Sequence, residues 1–299
     1  MNPLRILYIA VHSHISWGAE YWMAQAFNDL KFDIQLLDYR HERKTKTNQD
    51  FQNYITNKSQ GCDLIFLQRG DNLSPIIFKH IEIPIIFWST EPIKRNRDVD
   101  ELLRSDIFSW VYLHLYSCQE RIIQEFPHLV NRSSVMHNAA PKDQFNFSAK
   151  KNIFAIFNRN LSWRRRTWLW SSGKMITRIS GKYGEDYFND LQASKIAINI
   201  HYSRKNLDDF ESGIFEAMAS GCAVISERLN HQTLIDLEMT DAIIQVDSPK
   251  ELKEKLKLLK SNPETISSYL NKSKLAIQKN TWHNRAQKMY KKFQEVCNE

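Results

Sequence analysis

The residues best suited to chemistry lie in one stretch, residues 207–227 (LDDFESGIFEAMASGCAVISE). Asp208, Asp209, Glu211 and Ser212 gather ahead of an apolar run at 214–219, Gly221 supplies a helix stop, and 222–226 reads as a buried strand. The pattern predicts a loop entering a helix. The unpaired backbone N–H groups at its start, from Ser212, Gly213, Ile214 and Phe215, suit a phosphate. Glu216 falls about one turn inside, where a carboxylate can accept hydrogen bonds from ribose hydroxyls, as an acidic residue does in dinucleotide folds. An ordinary capped helix with a solvated acidic first turn has the same spacing. Spacing alone leaves both readings open.

The elements that must hold this stretch alternate along the chain. Residues 4–11 (LRILYIAV) form a short apolar run rich in β-formers, a buried parallel strand by pattern, and 19–30 is a helical stretch. Further strands are expected at 33–37, 63–67, 84–88, 110–115 and 133–137, each followed by a helical or polar segment as in repeated βαβ units. The alternation restarts with 152–157 ahead of a basic helix, then 195–200, 223–226 and 242–246, before an amphipathic helix at 249–259 and a helical tail. The expected architecture is α/β, with two doubly wound domains joined near residues 138–147. Two such sheets facing each other place a ligand cleft at the carboxyl ends of their strands.

The segment FEAMASGCAVIS resembles the donor-binding motif of GT-B glycosyltransferases of the group 1 type, which carries two acidic residues eight positions apart. Glu216 takes the second acidic position, Asp208 the first, where the family more often has Glu, and Phe210 falls in register. Further segments resemble the branch that includes the CgeB spore-maturation-like proteins. DLIFLQRGDNLS is similar to its third-strand segment, PIIFWSTEP to its W-x-x-D/E-x-P strand and loop, and KIAINIHYS to its strand ahead of the donor loop. TWHNRAQKMY is similar to its closing H-T-Y-x-x-R helix, with Asn280 where the family often has His.

This resemblance implies a GT-B fold, two Rossmann-like domains facing across a cleft. Residues 1–142 would form the acceptor side, 143–279 the nucleotide-sugar side, and 280–299 a helix packing back on the first domain. It implies a glycosyltransferase that moves a sugar from a nucleotide-diphosphate donor to an acceptor hydroxyl, retaining, with no metal and no cofactor. A pyrophosphate in a partly dry cleft needs cations. The cluster at 158–166 (NRNLSWRRR) supplies them. The family pattern assigns Arg159, beside Asn158, to the strand end and Arg165, or its neighbours Arg164 and Arg166, to the following helix start. A solvated basic helix face accounts for at least one of the three consecutive arginines.

In the family the first loop (VHSHISWGAE) faces the cleft. Gly18 would let backbone approach the donor, and His12 or His14 would position or deprotonate the acceptor hydroxyl at neutral pH. Glu91, in the WSTEP loop, is the other acceptor-side candidate, or else an acid capping a helix ahead of Pro92. His201 takes the family's N-I-H position beside the donor. The triplet Asp98-Val99-Asp100 superficially matches the metal motif of the other main glycosyltransferase fold, but it sits in RNRDVDELL, which reads as a helix start with solvated acids.

Composition bounds the rest. The 299 residues hold only eight glycines, against about twenty at average usage, so a glycine-rich low-complexity reading is excluded and Gly18 and Gly213 become positions where even Ala should harm donor binding. No apolar run nears the ~20 residues that span a bilayer and no signal-peptide pattern opens the chain, so a soluble, cytoplasmic protein is expected. The four cysteines lie far apart, which points to neither a disulfide framework nor a zinc site. A net charge of +7 favours anionic partners. A glycan, lipid-linked or protein acceptor, attachment to the inner membrane face, and a nucleic-acid acceptor suggested by WRRRTWLW all stay open. So does a nucleotide-sugar-binding or glycan-binding protein without transfer activity.

Overall fold

The computed structural model describes residues 4–12, 17–206 and 209–298. The chain divides into two units, Met1–His137 with His283–Glu299, and Asn138–Trp282.

In the first unit six parallel strands run in the order β2-β1-β3-β4-β5-β6. They are β1 (Arg5–Ala10), β2 (Asp33–Asp38), β3 (Leu64–Gln68), β4 (Ile85–Ser89), β5 (Trp110–Leu113) and β6 (Ser133–Val135). Helices α1 (Ala19–Asp29), α2 (Tyr39–Glu42), α3 (Asn48–Ser59), α4 (Asp100–Arg104) and α5 (Gln119–Glu125) connect them. Strands β3 and β4 are buried at every position, because helices cover both faces of a parallel sheet and leave no solvated side for polar residues. The edge strand β2 keeps only Leu37 fully buried.

The second unit has five parallel strands in the order β11-β10-β9-β7-β8. They are β7 (Ile153–Phe157), β8 (Thr177–Arg178), β9 (Ser194–Asn199), β10 (Ala223–Glu227) and β11 (Ile243–Val246). Its helices are α6 (Trp163–Trp170), α7 (Gly184–Gln192), α8 (Ser212–Ala219), α9 (His231–Asp236), α10 (Pro249–Ser261) and α11 (Pro263–Lys279). The last helix, α12 (Trp282–Asn298), packs from His283 onward on the first unit. There Tyr290 accepts from the Leu4 N–H (3.0 Å) and Phe293 lies 5.3 Å from Phe66.

Every strand expected from the sequence is present. The additional strand, β8, has two exposed residues at a sheet edge and carries no apolar run that a pattern could register. In each sheet the order reverses beside one strand, between β1 and β3 in the first and between β7 and β9 in the second. Ligand crevices of doubly wound sheets open at the carboxyl ends of such strand pairs.

Gly221, just past α8, has φ +73°, and a Cβ there would fall 2.8 Å from the Asn146 carbonyl oxygen. Gly221→Ala should therefore lose about 2 kcal/mol or more of stability, from the left-handed backbone and a contact that backbone cannot yield. Urea unfolding of the full chain measures this.

Candidate active site

In the second unit the loop after β7 and the start of α8 meet at the strand-order reversal. Arg159 follows β7, and its guanidinium lies directly on Gly213, where a Cβ would sit 0.7 Å from Nη2. Only a hydrogen at this position leaves that space. Arg159 Nη2 is 3.6 Å from Glu216 Oε2, and the guanidinium stacks over the Tyr187 ring at 5.7 Å. The Tyr187 hydroxyl donates to the same Glu216 oxygen (2.9 Å). Burial raises the Glu216 pKa above its ordinary value, opposed by Arg159 and Tyr187 and assisted by Glu211. Burial works against the Arg159 charge, but Tyr187, Glu216 and Glu211 outweigh it and hold the pKa above the usual arginine range. Cation and carboxylate thus face each other with most water excluded.

Arg165 is 4% exposed. Its Nε donates to the Ile200 carbonyl (2.7 Å), Nη1 to the Asn160 carbonyl (2.9 Å), and Nη2 to both Glu211 oxygens (3.2 and 3.3 Å). Ser162 caps α6 by accepting from the Arg165 N–H (3.2 Å), which fixes where this side chain starts. One guanidinium therefore ties the β7 loop, the end of β9 and the N-cap residue of α8 together. Arg164 pairs with Glu227 through two bonds and donates to the His201 carbonyl (3.0 Å), while Arg166 is exposed. The His201 ring is fully buried, with Nε2 3.0 Å from the Arg228 carbonyl and Nδ1 3.9 Å from Glu211. Asn158 Nδ2 is buried and finds no partner among the described residues. Ser212 and Gly213 open α8 with their N–H groups, but the Ile214 N–H, expected to be unpaired, donates to the Glu211 carbonyl (3.0 Å), and the Ile214 and Phe215 side chains are core residues, Phe215 packing 4.9 Å from Phe210. Asp208 lies outside the described residues.

In the first unit the corresponding edge holds a charged cluster. His12 follows β1 with Nε2 3.3 Å from the Tyr8 carbonyl, and burial lowers its pKa, against the pull of that carbonyl and of Asp38. Burial therefore favours the neutral ring. His14 lies outside the described residues. Gly18 caps α1 at φ +89°, and a Cβ there would meet Glu20 Oε2 at 3.3 Å.

Glu91 is not a helix cap, because no helix begins until Asp100. Instead Arg69 Nη2 reaches Glu91 Oε1 (3.3 Å) while Arg69 Nε donates to Asp71 Oδ2 (2.6 Å), and Arg40 pairs with the same Asp71 oxygen. Burial raises the pKa of both Glu91 and Glu20, in each case opposed by Arg69 and assisted by Asp71. Arg69 itself has φ +76°, an uncommon conformation for a residue with a side chain, and it occurs at the end of β3. Glu20, Arg69, Asp71 and Tyr187 went unmarked in the sequence. The signal for Arg69 and Asp71 was their place immediately after a buried strand; Tyr187 had none.

At the Asp98-Val99-Asp100 triplet the expected helix start is present, α4 beginning at Asp100, and Asp98 is exposed, but the second acid is not solvated. Asp100 is buried and accepts from Arg121 (2.6 Å), which also donates to the Ile93 carbonyl (2.6 Å), a brace within the first unit. Among the described residues no group of three or more His, Cys, Asp or Glu side chains is placed to hold a metal ion.

The family model described as glycosyl transferase-like matches residues 137–291. Among solved structures, the chain is similar to Alr3699/HepE of Anabaena, crystallised with UDP-glucose, at 12% identity and TM-score 0.70 over 98% of this chain and 100% of that one. Sucrose-phosphate synthase of Thermosynechococcus elongatus aligns at 11% identity and TM-score 0.68, over 98% and 99%. An alpha-glucosyltransferase in complex with UDP-glucose and DNA containing an abasic site aligns at 11% identity and TM-score 0.64, over the whole of both chains. No curated protein matches the sequence. These likenesses establish the GT-B fold for the chain.

Proposed function

The chain belongs to the glycosyl transferase-like family and is a glycosyltransferase, and from that premise we propose that it moves a sugar from a nucleotide-diphosphate donor bound in the second unit to an acceptor hydroxyl. The carrying observation is the convergence of Arg159, Glu216 and Tyr187 on the Gly213 start of α8. Arg159, the orphan amide of Asn158 and the first N–H groups of α8 take the pyrophosphate, and Glu216 takes the ribose hydroxyls. As the bond to the sugar breaks, negative charge grows on the departing diphosphate, and Arg159 is already fixed where that charge appears. This supports a metal-independent mechanism. Arg165 is a positioning residue in this scheme, because its donors are committed to protein carbonyls and to Glu211.

Acceptor binding belongs to the first unit, with neutral His12 and the Glu91–Arg69 pair as candidates to orient the hydroxyl. The retaining outcome and placement in the CgeB-like branch rest on the motif resemblance. A UDP-sugar is the first donor class to try, since two structural neighbours were solved with UDP-glucose. The acceptor is a glycan, a lipid-linked sugar or a protein, and the excess of basic residues supports attachment to an anionic membrane face in the cytoplasm. The DNA-bound neighbour keeps a nucleic-acid acceptor as the second reading.

Thermal shift of the full chain against a panel of nucleotides and nucleotide sugars tests the donor assignment; one class should raise the melting temperature in a saturable way. No stabilisation by any of them would overturn the reading. The pH dependence has a definite sign. Ribose binding needs the ionised Glu216, whose pKa lies above 4.5, so donor affinity should fall on acidification with a midpoint above that value. Tyr187→Phe removes a hydrogen bond that favours the ionised form, so it should move that midpoint further up. Affinity titrations across pH decide it.

A further inference from the structure

The two faces of α6 are employed differently. Arg164, Arg165, Trp168 and Leu169 turn inward to ion pairs and core. Trp163, Arg166 and Trp170 follow the i, i+3, i+7 spacing of a single helix face. Trp163 is 82% and Trp170 83% exposed, the largest values among the large hydrophobic side chains described. Two indoles left in water on one short face mark a surface that meets something.

Beyond the helix, Trp170 rims a hollow of about 610 Å³ whose lining includes Lys174 and Arg178. Arg166, Lys174 and Arg178 are exposed, and none forms an ion pair among the described residues. Helix α10 lies alongside, held by the Ser171 hydroxyl donating to the Pro249 carbonyl (2.9 Å), and carries five lysines to two glutamates.

We infer that this face seats the protein on an anionic lipid bilayer, with Trp163 and Trp170 entering the headgroup layer and Arg166, Lys174 and Arg178 pairing with lipid phosphates. The inference rests on the membrane attachment proposed above and assigns it to a surface. Indole rings settle at the membrane–water interface, and basic side chains beside them are drawn to anionic leaflets. No helix among the described residues is long and apolar enough to cross a membrane, so attachment through this unit lies on the surface.

A single nucleic-acid strand fits less well. The two tryptophans stand about 10 Å apart along a convex helix face, whereas stacked bases follow one another at about 3.4 Å. The geometry also gives the attachment a use. Arg165, on the inner side of the same helix, grips the N-cap residue of α8, so the lipid face lies about one helix width, roughly 10 Å, from the donor helix.

Vesicle flotation of the full chain tests this, using phosphatidylcholine with and without phosphatidylglycerol. The wild type should float with the anionic vesicles only, and less at high salt. The pairs Trp163→Ser/Trp170→Ser and Lys174→Ser/Arg178→Ser should each weaken binding about tenfold or more. The tryptophan pair should keep the wild-type melting temperature and donor-induced thermal shift. Failure of the wild type to bind anionic vesicles would sink membrane attachment itself. Wild-type binding retained in both pairs would leave attachment standing and overturn the assignment to α6. Loss of single-stranded DNA binding in the tryptophan pair, without any vesicle binding, would reassign the face to nucleic acid.

Discussion

Glu216→Ala should weaken nucleotide-sugar binding and transfer by about 10²-fold or more, because a carboxylate accepting two ribose hydroxyls contributes about 1.5–3 kcal/mol through each bond. Alanine also strips Tyr187 and Arg159 of their shared partner, so the variant mixes a site effect with a packing effect. Glu216→Gln separates them, since the amide keeps the volume and an acceptor for Tyr187. The sign of its stability effect follows from the raised pKa. The unfolded chain ionises Glu216 first, so the wild type loses stability as pH rises from 4.5 toward the higher folded value, and the loss persists at neutral pH. Glu216→Gln should therefore be at least as stable as the wild type at neutral pH, the difference vanishing in acid, yet bind donor poorly. Calorimetric titration and melting curves on both variants check this. Wild-type affinity in both would mean that Glu216 does not hold the donor.

The strand alternation was legible because parallel strands buried on both faces must be nearly all apolar, as in β3 and β4. Glu216 was legible too, for its motif is local: cap, helix and carboxylate fall within one short stretch. What surrounds it was not. Tyr187 comes 29 residues earlier, on α7, and meets Glu216 only once β9 and α8 have packed. Three consecutive arginines looked interchangeable, yet their successive positions on α6 aim Arg164 at Glu227, Arg165 at Glu211 and Arg166 at solvent. The Arg69 node was hidden for a similar reason. Asp71 and Glu91 come from the loops after β3 and β4, which adjacency in the sheet brings together.

Scarce glycine acquires a sharper meaning at Gly213. The expectation was a position where backbone meets phosphate; what lies against it is the Arg159 guanidinium, so near that a Cβ would overlap Nη2. Gly213→Ala should therefore act as an Arg159 variant made from a distance. The obstructed group is the far end of a flexible side chain rather than backbone, so it can swing away and let the helix form. Alanine inside a helix gains up to about 1 kcal/mol over glycine, which offsets part of the lost Arg159–Glu216 attraction. The melting temperature should stay within a few degrees of wild type, while transfer falls about 10²-fold as the leaving diphosphate loses its fixed cation. Arg159→Ala should bring a similar loss, and the double variant little more, because both substitutions remove one contact. Steady-state kinetics on the three proteins measures the coupling. Fully additive losses would show that Gly213 serves the donor by its own backbone, independently of Arg159.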